Sequence, residues 1–163
     1  MEKVVLILNG VSQGKTQFIE TIKMQGNYWT WNVNFLNVLS LVAHKLGWNG
    51  ERNKDYYEWL EDEKNSSNHY FDSERVYINT MIDKFVAHDK VTVLIIHNCS
   101  DDLAKELIDK YPELTYSVLI TDNDVVDDTY HKTLNYKNEE YTDNILSVMK
   151  TLTKSFSSEN EIE

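Results

Sequence analysis

The chain has 163 residues, of which 41% are hydrophobic and 26% charged, enough for one domain with a sizeable core. Its 27 acidic residues against 16 basic ones give a net charge of −11, which disfavours a general nucleic-acid binder. One cysteine excludes an internal disulfide framework and a cysteine-based zinc cluster, and no run approaches the roughly 18 apolar residues of a membrane span.

Met1-Glu2-Lys3-Val4 enters an apolar run at once, with no charged-then-apolar signal pattern, so the expectation is a soluble cytoplasmic protein. Val4-Val5-Leu6-Ile7-Leu8 predicts a strand buried on both faces, stopped by Asn9-Gly10. Phe18, Ile19 and Ile22 predict a helix over 16–24, and residues 27–31 a short second strand. Phe35, Leu36, Leu39, Val42, Ala43 and Leu46 follow with helical spacing, closed by Gly47. A polar helix over 55–64, a loop at 65–68 and an amphipathic helix over 73–86 come next. Val91 to Ile96 is the clearest strand; a helix over 101–110 follows it and ends before Pro112. Residues 115–121 form another apolar strand, and Asp122, Asp124, Asp127 and Asp128 mark a solvated loop. An edge strand over 130–136, a helix over 141–156 and a polar tail at 157–163 complete the chain. Strands alternating with helices predict a single three-layer α/β domain over 1–156, with a mainly parallel sheet of about five strands. Ligands of such sheets sit at the carboxyl ends of the strands, which nominates the loops 9–15, 97–101 and 121–128.

Gly10-Val11-Ser12-Gln13-Gly14-Lys15-Thr16 lies between the first strand and the first helix. The backbone N–H groups of such a turn cradle phosphate, with Gly10, Ser12, Gln13 and Gly14 supplying the cradle. Lys15 would reach the terminal phosphates of ATP, and the Thr16 hydroxyl would hold Mg²⁺. The full phosphate-loop pattern has four residues between its glycines; here there are three, with Asn9 ahead of them.

With that loop, Leu46-Gly47-Trp48-Asn49-Gly50 and Ile95-Ile96-His97 in this order, the chain resembles the small phage-type deoxynucleoside monophosphate kinases of the P-loop kinase superfamily, from Val4 to about Phe156. The resemblance implies a P-loop kinase-like fold and transfer of the ATP γ-phosphoryl to a deoxynucleoside monophosphate, with Lys, Mg²⁺ and arginines neutralising the transferring group. It also implies Lys15 and Arg52 as catalytic contacts and Trp31, Asn37, Arg75 and His97 as substrate contacts.

The chain departs from that group at its phosphate-handling parts. Cys99-Ser100-Asp101 stands where the group has Arg-Glu-Pro, and Tyr57 stands near a usual arginine. Asn37 and Ser40 fall near a usual Asp and Lys. Only Arg52 and Arg75 are arginines, and lysine does not replace the bidentate guanidinium fork. Losing transition-state arginines costs roughly 10³-fold or more each.

The expectation is therefore a kinase-like protein with weak or no transfer activity. It would bind a nucleotide, a nucleotide-derived signal or a host protein in the cytoplasm of an infected cell, with host-defence antagonism among its possible roles. The alternatives are an active nucleoside monophosphate kinase and an acidic protein-binding inhibitor or DNA mimic. Cys99 reads as a packed thiol rather than a nucleophile.

Overall fold

The computed structural model describes residues 3–25, 29–34, 44, 47–65 and 67–160. β1 (Val4–Gly10) leads into α1 (Ser12–Met24), and β2 (Thr30–Asn34) follows. α2 (Lys54–Asn65) and α3 (Ser67–Ala87) precede β3 (Val93–His97), α4 (Asp101–Lys110), β4 (Thr115–Thr121), β5 (Lys132–Asn135) and α5 (Tyr141–Asn160).

The five strands form one parallel sheet in the order β2-β3-β1-β4-β5. Alternate side chains of the central strands enter two cores. Val4, Leu6, Leu8, Val93 and Ile95 pack with Phe18 and Ile22 of α1 and Ile145, Val148 and Met149 of α5. Val5, Ile7, Leu94 and Ile96 pack with Ile78, Ile82 and Phe85 of α3 and Leu103 and Leu107 of α4. Both faces are covered, which is why β1 and β3 are continuous apolar runs. The result is the expected three-layer α/β architecture.

Element boundaries differ in places from the sequence reading. α1 begins at Ser12 rather than residue 16, because Gly10 turns the chain at φ 110° and Val11 is already the extended residue before the helix. α3 begins at Ser67, so helix stands on both sides of residue 66 where a loop was expected. β2 starts at Thr30, β3 at Val93, and β5 is confined to 132–135, while α5 runs on to Asn160. The helix expected over 35–46, with Asn37 and Ser40 on it, lies outside the described residues apart from His44, as do residues 26–28.

The connection after β1 enters α1 on one face of the sheet, and the connection after β3 enters α4 on the other. Adjacent strands whose chains leave to opposite faces define a switch point, with a crevice at their carboxyl ends. Leu8 pairs with His97 and His97 with Asn34 at that edge.

Candidate functional site

The crevice between β1 and β3 has two differently built sides. On the α4 side a buried polar network closes it. Asn9 is 5% exposed; its Nδ2 donates to the Cys99 carbonyl at 2.7 Å and the Tyr130 hydroxyl at 2.8 Å. Its Oδ1 accepts the Cys99 N–H at 2.9 Å, so one side chain satisfies the Cys99 backbone as a neighbouring strand would. Tyr130 donates in turn to Asp101 Oδ1 at 2.7 Å. Ser100 caps α4 by accepting the Leu103 N–H and donates its hydroxyl to the fully buried Glu74 of α3 at 2.7 Å. Burial, with Glu74 and Asp101 nearby, pushes the Cys99 thiol well above its ordinary pKa, so it stays protonated and inert.

The α1 side is different. Val11 offers no side-chain cap, and the first turn of α1 has no acidic residue, so its first N–H groups lack intrahelical partners or side-chain acceptors from the cap. Lys15, in that turn, is only 4% exposed, and burial lowers its pKa. Its ammonium donates to Asn98 Oδ1, and Asn98 adopts φ 55°, a left-handed conformation that asparagine tolerates. Among the described residues no carboxylate forms an ion pair with Lys15.

His97 extends this side, with its Nε2 3.3 Å from Asn32 Oδ1 on β2. Burial first, then the Lys15 and Lys23 ammonium groups, lower its pKa to about 4. The ring should therefore titrate near pH 4 by NMR, and Lys15→Met should move that midpoint upward. A midpoint near the ordinary 6.5, unmoved by the substitution, would show that the ring does not sense Lys15. Because the unfolded chain binds this proton near pH 6.5 and the folded chain only near 4, the contribution to stability is complete above 6.5. It declines as the pH falls through that window.

The two glycines of the motif face inward. A Cβ at Gly14 would stand 2.4 Å from Ile120 Cγ2 and 2.8 Å from Tyr136 Cβ. One at Gly10 would stand 1.9 Å from the Ile120 carbonyl oxygen. The Gly14 carbonyl also accepts the Tyr141 hydroxyl at 2.6 Å. Thr16 donates its hydroxyl back to the Ser12 carbonyl at 3.1 Å. Ser12 and Gln13 are exposed at the helix start.

The other expected contacts lie apart from this group. Arg75 pairs with Glu106 of α4 at 3.6 Å, on the opposite layer from α1. Arg52 sits in the exposed turn before α2. Trp31 is level with Leu94 and Val5, toward the amino end of the sheet, and its ring meets His88 edge-on at 5.0 Å. The structure thus joins Lys15 and His97 and leaves Arg52, Arg75 and Trp31 out of contact with them. Sequence reasoning missed Asn9, Asn32, Asn98, Glu74 and Tyr130. The only sequence signals were a polar residue ending an apolar strand at Asn9 and an acid within an amphipathic helix at Glu74.

No family model matches the chain, and no curated protein is similar to it in sequence. Solved structures similar in shape include two de novo designed proteins with a P-loop NTPase fold. One is 14% identical with a TM-score of 0.47, covering 93% of this chain and 92% of its own. The other is 16% identical with a TM-score of 0.44, covering 98% and 96%.

Proposed function

We propose that this protein is a P-loop kinase-like binding protein whose carboxyl-edge crevice takes the phosphate of a nucleotide or nucleotide-derived signal, with little or no phosphoryl transfer. The observation that carries this reading is Lys15: a buried ammonium whose side-chain partner is a neutral amide. An unneutralised buried charge is unfavourable, and an anion at the adjoining helix start would offset it. His97, kept neutral, remains able to offer a ring nitrogen without adding charge.

Phosphate suits these residues. Thr16, whose hydroxyl donates to the Ser12 carbonyl and keeps its lone pairs as acceptors, would hold Mg²⁺ together with a bound phosphate. The turn from β1 to α1 is a single residue, both glycines pack against Ile120 of β4, and Gly14 packs also against Tyr136. With Arg75 across the sheet, the phosphate-neutralising groups of a fast transferase do not converge among the described residues.

Thermal unfolding with ATP, mononucleotides, cyclic nucleotides and inorganic phosphate tests the reading. A bound ligand at 100 times its Kd should stabilise by about 2.7 kcal/mol. Lys15→Met should abolish that response and leave the unliganded protein about 1 kcal/mol more stable, since an uncompensated buried charge is removed. No response to any phosphate compound, or an equal response in Lys15→Met, overturns the binding assignment. Turnover of roughly 1–100 s⁻¹ with ATP, Mg²⁺ and any deoxynucleoside monophosphate overturns the weak-transfer assignment.

A further inference from the structure

A second cavity, of about 310 Å³, lies between the turn at residues 47–53 and the first turns of α2. Trp48, Tyr56 and Trp59 form its aromatic walls, and Asn49, Asn53 and Asp55 its polar rim. It is a fixed structure. The Trp48 and Tyr56 rings stack at 4.3 Å and 15°, and Tyr56 and Trp59 lie 6.4 Å apart at 28°. The Trp48 indole donates to the Glu51 carbonyl at 2.6 Å. Asn49 Oδ1 accepts the Glu51 N–H and Asn53 Oδ1 the Tyr56 N–H, each at 3.0 Å. Gly47 and Gly50, at φ 99° and 91°, let the turn close.

The chemistry of this cavity is opposite in sign to the Lys15 crevice. Aromatic faces carry negative potential, and Asp55 is the charged residue among the described lining. Lys54 points elsewhere, 3.6 Å from Glu58. The two amide oxygens are spent on holding the turn, which leaves little for the edge of a neutral heterocycle to recognise. The volume is at the small end of small-molecule sites and suits a compact headgroup.

We propose that this cavity binds a small organic cation of the quaternary or alkylated ammonium class, its charge against the Trp59 ring and the outer face of the Trp48–Tyr56 stack and balanced by Asp55.

Calorimetric titration with choline and tetramethylammonium tests the proposal, beside adenosine and 3,3-dimethylbutan-1-ol, the uncharged analogue of choline. Choline should bind at least about tenfold more tightly than the alcohol. Asp55→Asn should weaken choline about fivefold, and Trp59→Leu about tenfold or more, with far-UV circular dichroism and the phosphate response of the crevice unchanged. Equal binding of the alcohol, binding of a nucleoside in place of choline, or no choline binding at about 10 mM overturns it.

Discussion

Gly10→Ala should destabilise the protein by about 3 kcal/mol or more, close to the limit that a domain of this size tolerates. Two effects add. The backbone at residue 10 has φ 110°, where a side chain is strained by about 1–3 kcal/mol. The new methyl carbon would also stand 1.9 Å from the Ile120 carbonyl oxygen and 2.8 Å from its carbon. Neither strand has room to retreat, because β1 and β4 are hydrogen-bonded neighbours in register through Gly10 and Ile120. That same carbonyl also accepts the Val11 N–H at 3.0 Å, so moving it breaks the bond that starts α1. Gly47→Ala is the matched control. Its φ is 99°, but no described residue lies within 4 Å of the added carbon, so the backbone strain of about 1–2 kcal/mol is what applies. Urea unfolding of both variants separates the effects. Equal losses at the two positions would show that the approach of β4 to Gly10 contributes nothing.

This contrast shows what local pattern holds and what it does not. The strands β1, β3 and β4 were legible because burial on both faces demands unbroken apolar runs, and the helices because one face must be apolar every third or fourth residue. The glycines of residues 10–16 were legible as glycines that matter. Their spacing suits a backbone curled around phosphate, yet it suits equally a backbone pressed against a neighbouring strand. The partners that decide, Ile120 and Tyr136, lie more than 100 residues away in the chain. Lys15 was legible as a candidate because it opens a helix at the carboxyl edge. Its pairing with Asn98 rather than a carboxylate depends on the left-handed turn at residue 98, which no periodicity encodes.

The departure at Cys99-Ser100-Asp101 has a structural meaning in the same terms. Each of these residues carries a fold contact: Cys99 through its backbone to Asn9, Ser100 to Glu74 and the start of α4, and Asp101 to Tyr130. The loop between β3 and α4 joins β1, α3, α4 and the segment before β5. The α4 side of the crevice is stabilised by these contacts.

Asn9→Asp changes one heavy atom and should therefore be far more damaging than its size suggests, at about 3–5 kcal/mol. The amide uses both ends at once: Oδ1 accepts the Cys99 N–H, while Nδ2 donates to the Cys99 carbonyl and the Tyr130 hydroxyl. A carboxylate keeps the first bond and loses the other two donations. It also sets a buried negative oxygen against a carbonyl oxygen 2.7 Å away in the present geometry. Each buried group left unsatisfied costs about 1–3 kcal/mol, and an unpaired buried charge costs more. The variant would recover part of its stability by taking up a proton. Its carboxyl pKa should rise above the ordinary range, so its stability should fall as the pH rises above about 4. Asn9→Leu removes the charge but not the unsatisfied groups, so its deficit should be smaller and should lack that pH dependence. Urea unfolding of both variants at pH 5 and pH 8 decides the matter. A loss in Asn9→Asp that is below 1 kcal/mol and independent of pH would mean that the network does not hold β1 to the β3–α4 loop. The closed side of the crevice would then have to be explained by apolar packing alone.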